Sequence, residues 1–353
     1  MKKILLHGAT NCGSSNYGDF IYAYEVYQYL SIKYDVELYQ PSPYFKKYLG
    51  LSEHKHIGIH DADYLVYLPG GYFGEGHNAR FRDNLVQFLR FMPFGLIGIL
   101  FRKHIIVIGV GAGPVNSWFM RSAVRMIGRH ATVITTRDKS SYQAMDKLGI
   151  RNIHDYFDMI LAFPLARQDK LSKQLEQVLT SGDENRILLV HYNHSHEAMV
   201  KFAAAVNEFI AQSSHRYTVV VSSDSILDNE EKMYQEFKHL CHFNSVHYIY
   251  DNPFDFTELL RRADVVLTCK LHVGVVAAMF DKSVICAAEH PEKTIRFYSY
   301  IGEFGRCSSL YKSEPENILI NLKKYENQPM HIDSRVKNLA MKHWDALNLA
   351  IRK

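Results

Sequence analysis

The chain has 353 residues, 47% of them hydrophobic and 22% charged, with a formal net charge of +4. That composition is globular, and the length exceeds what one ordinary core organises, so two domains are expected. So small a positive surplus, without any RNA- or DNA-binding signature, excludes a nucleic-acid partner, and five cysteines without a CxxC pair exclude a disulfide frame and fit reduced thiols in the cytoplasm.

Lys3–Ala9 reads as a buried strand, because His7-Gly8 breaks the apolar run too early for a signal peptide. A Tyr-rich helix over Gly18–Ile32 and a strand over Val36–Tyr39 follow, then a strand over Asp63–Leu68 that ends at Pro69-Gly70-Gly71. Next come a helix from Arg80 to Phe91, strand Ile105–Gly109, helix Phe119–Arg129, strand Thr132–Thr136 and helix Ser140–Leu148. The alternation breaks near residues 164–185, with a charged helix over Arg167–Thr180 and a turn over Ser181–Asn185. It resumes with strand Arg186–His191, helix Glu197–Ala211, strand Tyr217–Ser222, helix Glu230–Leu240, strand Ser245–Tyr250, helix Phe254–Arg262 and strand Val265–Leu267. Two tail helices are expected, about Glu314–Glu326 and Asp333–Ala350.

Buried β-rich runs alternating with helices predict an α/β protein with two doubly wound, Rossmann-like parallel-sheet lobes. The expected lobes are residues 1–165 and 185–312, with C-terminal helices in 313–353 that cross back onto the first lobe. In such folds ligands bind beyond the carboxyl ends of the strands, here in a cleft between the halves.

The longest apolar segment, Phe91–Phe101, is about half the length needed to span a bilayer. Arg90 precedes it, Arg102-Lys103 follow it, and Arg121, Arg125 and Arg129 recur at four-residue spacing on a later helix. Two readings stay open: a buried helix with a solvated basic face, or a patch that touches anionic membrane. His54/His56 and His191/His194/His196 come closest to histidine clusters; without HExxH or paired ligand spacing they read as non-metal.

The polar and glycine-rich motifs all fall at the carboxyl ends of predicted strands. Gly8–Asp19 offers small residues for close backbone approach, with Asn16 or Asp19 to cap the next helix. Leu68–Gly76 holds Gly70, Gly71, Gly74 and Gly76, in a run that turn geometry alone could require or that could admit a phosphate or sugar; Gly109–Pro114 adds Gly111 and Gly113. Arg137 ends a strand where a guanidinium could grip a carboxylate or phosphate in two-pronged fashion, or pair structurally with Asp138. Asp158 closes the first half. Thr268–Gly274 places Lys270 and His272 at a strand-to-helix junction, where unpaired N–H groups and the helix dipole favour an anion. Fixed positive charge plus an imidazole suits an anionic substrate and a proton transfer near neutral pH.

In their order, Asn16-Tyr17-Gly18-Asp19, Gly70-Gly71, Gly109–Pro114, Arg137-Asp138 with Ser140/Ser141, Leu148-Gly149, Asp158 and Leu271-His272 leading into Ala277 resemble the polysaccharide pyruvyl transferase family. The resemblance implies a two-lobed GT-B fold and transfer of the enolpyruvyl carbons of phosphoenolpyruvate to sugar hydroxyls. The product would be a pyruvate ketal on a cell-surface or exopolysaccharide glycan, with release of phosphate. It also implies a lipid-linked saccharide acceptor at the cytoplasmic membrane and no metal or cofactor beyond phosphoenolpyruvate as donor substrate. Carried over by position, Arg137 would hold the donor carboxylate or phosphate, His272 would protonate the methylene carbon, and Leu271 would support that loop. Asp19 would bind or deprotonate the acceptor hydroxyl. Lys270 stands where the family usually has arginine, keeping the charge without the planar fork. Two rivals are a GT-B glycosyltransferase using a nucleotide sugar, with Glu289–Phe297 (Glu289, His290) for ribose and base, and a non-catalytic glycan-binding protein of the same fold.

Overall fold

The apolar runs assemble into two six-stranded sheets whose strand pairings are all parallel. The computed structural model describes residues 1–13, 15–51, 57–75, 80–181 and 185–352; Ser14, His54, His56, Gly76 and the turn residues Gly182–Glu184 lie outside these. The chain divides into two compact units. The first comprises Met1–Ser15, Asp19–Phe163 and Ser334–Lys353; the second comprises Asn16–Gly18 and Pro164–Asp333.

The first unit alternates β1 (Lys3–His7), α1 (Tyr17–Ser31), β2 (Asp35–Leu38), α2 (Pro43–Leu49), β3 (Tyr64–Tyr67), α3 (Phe81–Leu100), β4 (His104–Val110), α4 (Trp118–His130), β5 (Ala131–Thr136), α5 (Lys139–Lys147) and β6 (Ile153–Asp155). Its sheet order is β2-β1-β3-β4-β5-β6. Chain direction across the sheet therefore reverses between β1 and β3, where crossovers diverge and leave a crevice at the strands' carboxyl ends. Leu5, Leu65, Tyr67, Ile105, Val107 and Ile134 face Phe91, Met92, Phe94, Met120, Val124 and Ile127 of α3 and α4 in one core. Each such side chain contributes roughly 1.5–3 kcal/mol by leaving water.

The second unit carries α6 (Lys173–Thr180), β7 (Arg186–His191), α7 (His196–Gln212), β8 (Tyr217–Val221), α8 (Glu230–Leu240), β9 (Ser245–His247), α9 (Pro253–Arg262), β10 (Val265–Thr268), α10 (Leu271–Met279), β11 (Ser283–Ala288), α11 (Pro291–Tyr300), β12 (Cys307–Ser309) and α12 (Pro315–Tyr325). Its order, β12-β11-β10-β7-β8-β9, reverses between β7 and β10. The last helix, α13 (Ser334–Arg352), belongs to the first unit. There the buried His343 bonds Thr135 Oγ1 (2.7 Å) and the Phe157 carbonyl (2.6 Å).

Several expected boundaries change. The helix expected to stop at Phe91 continues to Leu100 despite Pro93. The Tyr67 hydroxyl explains how. It receives the Gly95 N–H and donates to the Phe91 carbonyl, both at 2.8 Å, and so replaces the turn's own bond beside the proline. The charged helix begins at Lys173 rather than Arg167, because Ser172 accepts the Leu175 N–H and sets the start. α2, β6, β11, α11 and β12 were not anticipated. Among the described residues no helix is long and apolar enough to cross a membrane.

Candidate functional site

The first unit gathers its polar motifs at the carboxyl ends of β1, β3, β4 and β5. Arg137 follows β5, and its guanidinium lies flat on Gly111: a β-carbon built there would sit 2.6 Å from Nη2 and 2.8 Å from Cζ. No residue but glycine fits without moving the arginine. Burial disfavours the charge, but the Tyr22 phenol, Asp158, Asp138 and the Tyr72 phenol outweigh it and raise the pKa. The expected Arg137–Asp138 pairing is loose, Nε to Oδ2 at 3.8 Å. Asp138 caps α5 instead, accepting from Ser141 N at 2.8 Å, from Ser141 Oγ at 3.0 Å and from Ser140 Oγ. Asp158 is buried, accepts from Tyr22 OH, and caps the following turn through Ile160 N. The half-buried Asp19, in the first turn of α1, acts electrostatically on Tyr22, Tyr72 and Cys12, so it shares this cluster.

The glycines divide by use. Gly111 N bonds Gly70 O (2.8 Å), Glu75 N bonds Pro114 O (3.0 Å), and Gly74 abuts the Gly113 backbone too closely for a β-carbon. Gly74 thus lets the loops after β3 and β4 close on one another, Gly70 makes room for the Tyr72 ring of its own loop, and Gly71 is exposed with open space around it. Glu75, from the same loop, accepts Asn116 N (3.0 Å) and Ser117 N (2.7 Å) at the start of α4, which holds its carboxyl below the usual range despite the opposing effect of burial.

A pocket of about 330 Å³ opens beside this cluster. Asn11, Tyr39, Gln40, Arg90 and Phe94 are among its lining residues, and Gln40 holds a left-handed backbone (φ 48°). Two amides and a guanidinium against aromatic walls suit a hydroxyl-rich ligand. Gln40 and Arg90 went unnoticed in the sequence as site residues because nothing in their spacing joins them; β2 and α3 bring them together.

The second unit builds its cluster at the reversal between β7 and β10. Lys270 occupies the residue before the first turn of α10 without capping it through its side chain, and its N–H donates to Thr268 Oγ1 (3.0 Å). Its ammonium lies 3.0 Å from Glu289 Oε2 and, with the Asn193 amide oriented to satisfy its neighbours, 3.2 Å from that carbonyl oxygen. The Asn193 nitrogen then donates to Asp224 Oδ1 at 2.8 Å. Asn193 also holds a left-handed backbone (φ 55°), the kind of local strain that concentrates at working sites. Burial favours losing the Lys270 proton, yet Asp224 and Glu289 raise its pKa. Asp224 is buried, which pushes its pKa up, but His191, Lys270 and His194 hold it below the usual carboxylate range. His191 Nδ1 bonds Thr268 Oγ1 (2.9 Å), and its Nε2 lies 3.7 Å from Asp224 Oδ1. Asn16, which packs with this unit, donates to Asp224 Oδ2 at 3.0 Å.

His272 lies one residue inside α10, half-buried, beside buried Leu271. Gly18 approaches so closely that a β-carbon there would meet Nδ1 at 2.2 Å. Sequence reasoning found Lys270 and His272 but missed Asp224 and Asn193, which lie 46 and 77 residues before Lys270 and carry no local motif. Glu289 was noticed only for a nucleotide. His290 beside it has its pKa lowered, first by burial and then by Lys293 and Lys270.

Among solved structures, the chain is similar to the UDP-GlcNAc 2-epimerase of Methanocaldococcus jannaschii in complex with UDP-GlcNAc and UDP, with 13% identity, 99% of this chain and 100% of that one covered, and a TM-score of 0.61. It is also similar to S. aureus MnaA with UDP (12%, 100% and 98%, TM-score 0.64) and to Anabaena HepE in complex with UDP (14%, 100% and 98%, TM-score 0.52). At these identities the likeness establishes the fold, GT-B-like with two parallel-sheet units. Among curated proteins, none matches the chain significantly. The polysaccharide pyruvyl transferase family profile aligns with residues 16–291, from Asn16 through both polar clusters to just past Glu289, and the chain belongs to that family.

Proposed function

We propose that the protein transfers the pyruvyl group of phosphoenolpyruvate to two hydroxyls of a glycan, forming a ketal and releasing phosphate. The observation that carries this reading is the family match over 16–291, which includes Arg137, Lys270 and His272 at the carboxyl ends of their strands. Arg137, its plane fixed by Gly111, offers the N–H groups at its edge to the donor carboxylate. Lys270 supplies a point charge for the phosphate. His272 protonates the donor's methylene carbon, leaving C2 open to attack by the first sugar hydroxyl, whose proton passes to Asp19. The second hydroxyl then displaces phosphate, and its proton leaves with the phosphate. Two hydroxyls and phosphoenolpyruvate thus become a methyl-bearing ketal and inorganic phosphate. The pocket lined by Asn11, Gln40 and Arg90 takes the acceptor saccharide.

One observation favours a second reading. Lys270 already has Asp224 and Glu289 beside it, and carboxylates next to a ligand suit ribose or sugar hydroxyls better than a bare trianion. A nucleotide-sugar donor would use them, and the similar folds include structures with UDP bound. Calorimetric titration with phosphoenolpyruvate and, separately, UDP-GlcNAc decides between the two. Saturable phosphoenolpyruvate binding that Arg137→Ala abolishes supports pyruvyl transfer. Heat with UDP-GlcNAc and none with phosphoenolpyruvate overturns it.

A further inference from the structure

The stretch from Arg80 to His130 is charged unlike the rest of the chain. It holds eight Lys and Arg against one acidic residue, Asp83, a surplus of +7 in a chain whose total is +4, so the remainder is net acidic. The same stretch exposes large apolar side chains: Trp118 is 77% exposed, Phe81 67% and Leu89 62%.

These features share one surface. Phe81, Leu85 and Leu89 recur every four residues, which puts them on one side of α3. α4 runs alongside in the same direction. Asn84 Nδ2 bonds Ser117 Oγ (3.1 Å) near the two helix starts, the rings of Phe81 and Phe88 meet Phe119 at 5.6 and 5.5 Å, and Gly95 packs on Ile127 further along. Arg121, Arg125 and Arg129 repeat at the same spacing on α4, all exposed. A row of guanidiniums therefore lies beside a row of apolar side chains, with Trp118 at its head.

We infer that this face docks the protein onto an anionic lipid bilayer. Two side-by-side helices that expose both rows match an interfacial surface, where apolar side chains enter the boundary region, tryptophan sits at headgroup level and arginines meet anionic headgroups. A second copy of the chain fits poorly, because a two-fold contact would set arginine row against arginine row. Nucleic acid would reward the cations but not the exposed Leu and Trp. This inference does not depend on the pyruvyl-transfer reading.

The test is co-sedimentation of the full chain with phosphatidylcholine vesicles, with and without phosphatidylglycerol. The protein should pellet with the anionic vesicles only, and less as salt rises. Each of Phe81→Ser and Trp118→Ser should weaken binding severalfold, while Arg121→Gln and Arg125→Gln should each cost about fivefold. Melting temperatures should stay unchanged, since all four side chains are exposed. Equal pelleting with neutral vesicles, or none with either, overturns the inference. So does a dimer, seen by light scattering, that Phe81→Ser dissociates, or oligonucleotide binding indifferent to Trp118→Ser.

Discussion

The two units present their cations differently. In the first, Arg137 is pressed on a glycine with its plane set by Gly111, and its loose partner Asp138 is occupied in capping a helix. In the second, Lys270 is already engaged by Glu289 and Asn193, with Asp224 behind them. The first cation's ion pair is loose, at 3.8 Å; the second has two partners within about 3 Å. The difference teaches that a cation at a strand's carboxyl end is not by itself an anion site. Its availability depends on what the distant strands bring to it.

Buried histidines occur in both units, but among the described residues only the second unit's His191 has a carboxylate beside it, Asp224 at 3.7 Å. His7, ringed by Tyr39, Tyr67, Phe91 and Phe94, and His343 both belong to the first, and burial lowers each pKa from 6.5 to about 4. Between those values the unfolded chain binds more protons than the folded one, so stability falls as pH falls. The contribution is intact above pH 6.5 and fully lost below about 4, about 3 kcal/mol for each histidine. This is the largest expected effect. Hydrogen exchange at pH 7 and pH 5 should show the first unit loosening on acidification well ahead of the second. Equal loosening would erase this contrast.

Next in size is His272→Ala, for which turnover should fall by roughly 10²–10⁴ with phosphoenolpyruvate affinity unchanged in calorimetry. The reciprocal exchanges address the cations directly. Arg137→Lys keeps the charge but loses the fork, and phosphoenolpyruvate should bind at least about tenfold more weakly, the worth of a charged hydrogen bond. Lys270→Arg should change that affinity less than about threefold, because Glu289 and Asn193 retain the new side chain. A larger effect at Lys270 than at Arg137 would break the comparison. Smallest in stability is Gly18→Ala. In a helix this exchange ordinarily gains up to about 1 kcal/mol, but here the methyl would strike His272 Nδ1. Turnover should drop while the melting temperature holds or rises, and full activity would mean the imidazole works elsewhere.

Legibility in the sequence followed the range of the interactions. The β-rich apolar runs gave the parallel sheets, since each is a local pattern, and Arg137, Lys270 and His272 were visible because they end such runs. Ser283–Ala288 escaped because its small Ala and Cys residues look little like a strand; only the neighbours β10 and β12 make it one. Asp224, Asn193, Tyr22 and Gln40 escaped because pairing across the sheet, not spacing along the chain, assigns them. The glycines of Leu68–Gly76 and Gly109–Pro114 show the opposite problem. They announce close approach, but what approaches Gly74 is another loop, and what approaches Gly70 is the Tyr72 ring of its own.

The final helix sets an order of events during synthesis. Because α13 completes the first unit, residues 164–333 leave the ribosome before that unit can close. The second unit, nearly continuous in sequence, can fold while the first still lacks His343 against Thr135 and Phe157. Until then, the carboxyl ends of β5 and β6 wait uncovered for the last side chains to arrive. A chain stalled short of Ser334 would therefore be expected to hold a finished second unit and an open first one, a species that chaperones and proteases could recognise.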